Sequence, residues 1–171
     1  MRIFIIILLT SQISFSQTKT EINSEKETAL FLKQILKKDS LNIWVKESTK
    51  SSWLSECYVS KNAGFLKKNE ISTINQKLKK DCEIPWTHSS TLNLKIVKDT
   101  LFEKSDRDVL VKELNQNILI ISHPIFFRNG KYCILFYQYV CGNICGTSSL
   151  ALYEKVNERW EIKQEYCDMI N

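Results

Sequence analysis

The sequence is poor in glycine and proline, with four and two among 171 residues, and it holds only two histidines. So few glycines leave little room for backbone sites that need positive φ or close approach. No glycine-rich phosphate loop and no serine-nucleophile elbow occurs, and no paired acid/base carboxylates are recognisable. Six cysteines are present, but none forms a Cys-x-x-Cys pair and no His-x-x-x-His follows, so a zinc site is not supported. Asp106-Arg107-Asp108 lacks the glycine and flanking acids of a calcium loop; it reads as part of a solvated, charged turn from Glu103 to Asp108. No metal or cofactor is implied. Internal repeats and low-complexity segments are also absent.

Long apolar runs are missing except at the start. Arg2 supplies a positive segment, Ile3 to Leu9 an apolar one, and Ser14-Phe15-Ser16 a small-x-small cleavage pattern. The apolar run is too short to span a bilayer, which takes ~20 residues. The expectation is a signal peptide over 1–16, cleaved before Gln17, with no nearby cysteine for a lipid anchor. The remaining chain would then be exported to the periplasm or the medium. The formal charge of +5 would fall to +4 with Arg2 removed. Lysines carry that excess and are scattered, so neither a nucleic-acid footprint nor a membrane span is indicated.

Residues 17–171 have the length of one domain, with a helical part over 24–80 and a sheet part over 92–168. Ser24-Glu25-Lys26-Glu27 matches a capping box. Ala29, Leu32 and Leu36, flanked by Thr28, Phe31 and Ile35, predict a helix to about Lys38. Leu41 to Ser60 is apolar but shows neither a helical nor a strand period. Asn69 is suited to cap a second helix, with Ile71, Ile74 and Leu78 on one face up to Lys80. Leu92, Leu94 and Ile96 alternate as in a short strand.

From Ile118 the chain reads as strand, turn and strand again. Asn129-Gly130 signals a tight hairpin. Tyr132 to Val140 returns, Cys141-Gly142-Asn143-Ile144-Cys145-Gly146 turns, Ser148 to Val156 follows, and Trp160 to Cys167 ends the run. Pro124 cannot donate to a ladder, which points to an edge strand. The fold class expected is α+β: an antiparallel β-meander of four or more strands, covered on one face by the two helices. Pairing Arg128 with Lys131 and Cys141 with Thr147 puts Ile125, His123, Ile134, Phe136, Leu150 and Leu152 on the core face, continued by Trp160 and Ile162. Leu135, Tyr137, Tyr139, Ala151 and Tyr153 take the reverse face. Tyr137, Tyr139 and Tyr153 form a candidate binding face there, weighed against ordinary cross-strand packing.

In an oxidising compartment the cysteines favour disulfides. Cys141–Cys145, pinching a hairpin loop, is the first candidate, and Cys57–Cys82 the second. Eight residues of strand separate Cys133 from Cys141, roughly 26 Å at ~3.3 Å per residue. Cys167 is expected at the loop end, opposite Ser148 or Ser149. Cys133–Cys167 is therefore excluded, since a disulfide needs Cα atoms within ~7 Å. Cys133 is left as a buried thiol, and Cys167 as unbonded or competing for the loop. A Cys-His nucleophile built from His88 or His123 is disfavoured, because His123 falls on the apolar face and His88 has no evident partner.

Ser122-His123-Pro124-Ile125-Phe126, the Cys141–Gly146 loop and Glu158-Arg159-Trp160 together resemble the C-terminal pattern of a family of small exported bacterial proteins of uncharacterised function. In these a Ser-x-Pro-Ile-Phe strand precedes a tyrosine-rich strand, a Cys-Gly-x-x-Cys-Gly loop and a Gly-Lys-Trp turn. The resemblance covers about the last third of the chain, with Glu158-Arg159 where Gly-Lys is usual. It implies a fold and an exported location, and no activity. The functional expectation is a non-enzymatic binding or interaction module for an unidentified protein or small molecule. The alternative is an enzyme of thiol-disulfide exchange using Cys141 and Cys145.

Overall fold

A computed structural model describes residues 14–37, 43–51, 54, 57–59, 64–87 and 92–170, with side chains placed from residue 25 to residue 167. The chain divides into two compact units, Met1–Asp39 and Ser40–Asn171. In the first, helix α1 spans Ser14–Ile35. It begins ten residues before the expected cap at Ser24, because Gln17 to Asn23 contains no glycine or proline to stop it. Ala29, Phe31 and Leu32 are buried and Leu30 is exposed.

The second unit is built on a seven-stranded mixed sheet. Its strands are β1 (Trp44–Lys46), β2 (Lys95–Val97), β3 (Ile118–Ile121), β4 (Ile125–Phe127), β5 (Tyr132–Val140), β6 (Gly146–Val156) and β7 (Arg159–Ile170). The order is β2-β1-β3-β5-β6-β7, with β4 pairing β5 beside β3. The antiparallel meander is therefore only part of the sheet, since β1 runs parallel to both β2 and β3. Parallel neighbours need a crossover connection. Helix α2 (Lys68–Asp81) lies in the first, and α3 (Asp99–Lys104) with α4 (Arg107–Leu114) in the second. The expected charged turn over Glu103 to Asp108 shrinks to Ser105-Asp106 between these two short helices. Strand β1 occupies the apolar stretch that showed no period, because three residues are too few to establish one.

Helix α2 starts at Lys68, with Lys67 rather than Asn69 at the N-cap. The Glu70 carboxylate accepts the Lys67 N–H at 2.8 Å, and Ile71, Ile74 and Leu78 form the buried face as expected. Strands β3 and β4 are one extended segment broken at Ser122-His123-Pro124. Ile121 pairs Tyr137 and Ile125 pairs Ile134, so one extra residue is absorbed between them. Ser122 fills the gap: its N–H donates to Phe136 O, and its hydroxyl accepts the Phe136 N–H, both at 3.0 Å. Pro124 thus stands in the break rather than within an edge strand, and only β4 lies off the main path. His123 consequently has no ladder partner opposite Phe136.

Faces follow the expected alternation over β5 and β6. Ile134 pairs Leu152 and Phe136 pairs Leu150, two residues away from the expected register, a shift that leaves each side chain on its own face. This front face bears two packed clusters. In one, Ile71, Ile74 and Leu78 of α2 meet Ile125, Ile134, Phe136, Leu150 and Leu152. In the other, Phe102 of α3 and Leu110 of α4 meet Val97, Ile118, Ile120 and Val140. Trp160 and Ile162 do not continue the front face. The tight Asn157-Glu158 turn pairs Val156 with Arg159, and the regular register running from it sets Trp160 opposite Lys155 and Ile162 opposite Tyr153, on the back face. The Trp160 ring accordingly packs near Phe126, and Ile162 is exposed.

Register shifts at Leu152/Tyr153 and Leu150/Ala151, farther from that turn, move Cys167 from opposite Ser148 to opposite Leu150, on the core face. There it is bonded to Cys57, with Cα atoms 5.8 Å apart. The expected Cys57–Cys82 bridge is therefore replaced by Cys57–Cys167. Cys82 ends α2 with its Sγ 3.0 Å from Leu78 O, and forms no disulfide. Cys141–Cys145 is present as expected, Cα atoms 5.2 Å apart. Cys133 is a buried thiol outside any disulfide. No helix among the described residues is long and apolar enough to cross a membrane.

Candidate functional site

Beside the second of these clusters, with Phe102, Ile120 and Val140 on its lining, lies a cavity of about 280 Å³. Its floor is Ile120, Gln138 and Val140 of β3 and β5. One wall is the segment leaving β1, with Lys46, Lys50 and Ser51; another is Phe102, Glu103 and Arg107 of α3 and α4. The cysteine loop closes the rim with Gly142, Asn143, Cys145 and Gly146.

Lys46 is the last residue of β1 and is 2% exposed. A buried ammonium is tolerable only where its protons are all engaged. Its Nζ lies 3.0 Å from Asp99 Oδ1 and donates to Ser48 Oγ, Ser48 O and Lys50 O at 3.3, 3.4 and 3.3 Å. The Phe102 ring centroid stands 5.5 Å away. Asp99 also accepts the Ser48 N–H at 3.0 Å and the Ser48 hydroxyl at 2.5 Å. Desolvation pushes the Asp99 carboxyl up, but the hydrogen bonds from Ser48 and Lys46 outweigh it and hold it below the usual range. These contacts fasten the start of α3 to the end of β1.

The rim is fastened by Asn143. Its Nδ2 donates to Asp106 Oδ2 at 2.9 Å and to Asp108 Oδ2 at 2.8 Å. Its backbone N–H donates to Asp108 Oδ1 at 3.0 Å, and its Oδ1 accepts the Arg107 N–H at 3.3 Å. Asp106 caps α4 by accepting from the Asp108 and Val109 N–H groups. The Asn143 bond, then those backbone donors, keep its carboxyl below the usual range. Glycine suits position 142, whose φ of +154° side-chain-bearing residues rarely adopt and where a Cβ would displace the Asp108 carboxylate. Within the loop, the Cys141 N–H donates to Cys145 O at 3.2 Å, and Cys145 is exposed.

Of the residues singled out in the sequence, only Cys141 and Cys145 belong to this site. Cys57 and Cys167 lie in the α2 cluster. Cys82 lines a separate, more apolar cavity of about 510 Å³ with Lys50, Ser51, Leu54, Tyr58, Leu78 and Lys79, and burial pushes its thiol up. Tyr137, Tyr139 and Tyr153 share the back face as expected. Tyr153 is 1% exposed, whereas Tyr137 and Tyr139 are half-buried with ring centroids 5.8 Å apart, edge to face. His123 stacks on Trp86 with centroids 4.1 Å apart. Burial holds its imidazole below the usual pKa, against a smaller upward pull from Asp81. His88 lies outside the described residues.

Lys46, Lys50 and Gln138 carried no motif, and Arg107 stood in the Asp106-Arg107-Asp108 run read as part of a turn. The legible signs were Lys46 at the end of the apolar run Ile43-Trp44-Val45, and Asn143 inside the cysteine loop. No family model matches the chain, and no match to it is found among the curated proteins or the solved structures.

Proposed function

We propose that this chain is an exported, non-enzymatic binding module whose small polar ligand occupies the cavity between α3–α4 and the sheet. The observation that carries this reading is the cavity itself: a concave space bounded by the Lys46–Asp99 and Asn143–Asp108 contacts, with polar side chains converging over a floor of Ile120, Val140 and Gln138. A merely structural cleft would not need two separate polar networks at its margins. The exported location rests on the Arg2, Ile3–Leu9 and Ser14–Ser16 pattern and on the resemblance to small exported bacterial proteins. The two disulfides are in keeping with it.

Ligand-observed NMR on the intact, oxidised chain with a panel of small polar compounds tests the reading. Hits are expected, and Ser51→Trp, which fills the cavity from a half-buried wall position, should abolish them. An empty panel, or hits indifferent to Ser51→Trp, would contradict it.

Exposed Cys145 on the rim favours one second reading, thiol-disulfide exchange at Cys141–Cys145. Attack by a thiolate would give a mixed disulfide and release the other cysteine as a thiolate. Neither cysteine begins a helix, the usual device for lowering a thiol pKa. Incubation with reduced glutathione followed by mass spectrometry separates the two: a mixed disulfide at Cys145 supports exchange, and an unmodified protein removes it.

A further inference from the structure

We infer that the ligand of this cavity is an anion, carrying a carboxylate or phosphate group; this rests on the binding reading above. The donors and acceptors left after the protein has satisfied itself decide the ligand's charge. Lys46 is spent on Asp99, Ser48 and the Lys50 carbonyl. Asn143 is spent at both ends, on Asp106 and Asp108 through Nδ2 and on the Arg107 N–H through Oδ1. Gln138 has its oxygen occupied, since Oε1 accepts the Ser51 hydroxyl at 2.7 Å. Its amide keeps the whole donating NH2 group and one lone pair on the oxygen.

Two cations complete the lining. Arg107 lays its guanidinium over Phe102, with Cζ 5.4 Å from the ring centroid, and meets no carboxylate within salt-bridge distance among the described residues. The same holds for Lys50. Both side chains donate only. Against these three donor groups stands one carboxylate on the lining, the exposed Glu103; the other side-chain acceptors there, on Ser51, Gln138 and Asn143, already take part in hydrogen bonds. The other nearby acids are already engaged: Asp99 by Lys46 and Ser48, Asp106 and Asp108 by Asn143, and Asp106 also by the α4 backbone. A cavity with spare donors and few spare acceptors selects a ligand rich in acceptors. Arg107 adds a planar fork suited to two oxygens of one anionic group.

Calorimetric titration of the intact chain, both disulfides formed, tests this with inorganic phosphate, succinate, the neutral diamide succinamide and the dication putrescine. Phosphate, succinate or both should bind, and the stronger of the two identifies the source of the anionic group. Binding should weaken as salt is raised. Arg107→Gln and Lys50→Gln, both at exposed positions and so safe for folding, should each weaken it at least about tenfold. Tighter binding of succinamide or putrescine, lost in Ser51→Trp, would overturn the anion inference while leaving the binding reading intact. No heat with any of these probes, together with an empty NMR panel, would overturn both.

Discussion

The two halves of the front face use the same sheet differently. Over β4, β5 and β6, the 14-residue helix α2 sets Ile71, Ile74 and Leu78 into a continuous apolar layer. Arg128 then joins this helix to the hairpin, its Nη2 2.6 Å from Glu70 Oε2. A disulfide between residues 110 apart in sequence crosses the same layer. Over β1, β3 and the end of β5, two helices of six and eight residues bury one side chain each, Phe102 and Leu110. Polar contacts take over where apolar ones are few, and a cavity is left open. The first half supplies stability, and the second, relieved of that task, has room for a site.

That contrast is most sharply tested through the disulfides. Cross-linking stabilises mainly by restricting the unfolded chain, more so for longer loops. Replacing Cys57 and Cys167 by serine should cost up to ~4.7 kcal/mol, whereas the same change at Cys141 and Cys145 should cost only about 2 kcal/mol. Denaturant midpoints of the two double variants check this; equal losses would mean that the halves do not differ as described.

A smaller contrast separates the faces within β5. Phe136 is fully buried in the α2 cluster and Tyr139 is half-buried on the back face. Phe136→Ala should cost ~3–5 kcal/mol and Tyr139→Ala distinctly less, by the same measurement. Comparable losses would show that the back face is packed as tightly as the front.

Acid should act through the α2 half by a modest amount. The hydrogen bond from Arg128 holds the Glu70 carboxyl down at about 2, against an ordinary 4.5. A carboxyl depressed in the folded state binds its proton more readily once unfolded, so its contribution is fully present above pH ~4.5 and is lost as the pH falls toward 2. Glu70→Gln should therefore flatten the decline in stability over that window. An unchanged acid profile would deny the Glu70–Arg128 pair its role as a tie.

The two halves were also unequally legible. The α2 half could be read because its elements are long: Ile71, Ile74 and Leu78 repeat at helical spacing, and β5 and β6 run for nine and eleven residues joined by turns that fix which side chains share a face. Faces therefore survived a two-residue error in register. The Cys57–Cys167 bond escaped because two irregularities in the β6–β7 pairing move Cys167 two positions along β6, from opposite Ser148 to opposite Leu150. In the other half the alternation at Leu92 to Ile96 and the run from Ile118 marked strands near β2 and β3, but their pairing escaped for a different reason. β1 and β2 are three residues each, and their parallel pairing is set by crossovers rather than by any local pattern. The cavity joins Lys46, Arg107 and Gln138 from distant segments, with no spacing rule to connect them. Only the Cys141–Cys145 loop announced itself, and there the telling residue was Asn143 between the cysteines.

Native-state hydrogen exchange tests the division of the front face most directly. Amides of 132–136 and 150–154 should exchange only on global unfolding, while those of 102–114 and 142–146 should exchange sooner, through a local opening of α3, α4 and the cysteine loop. Equal protection in the two sets would contradict it: the cavity would then sit in a part of the molecule as firmly held as the rest.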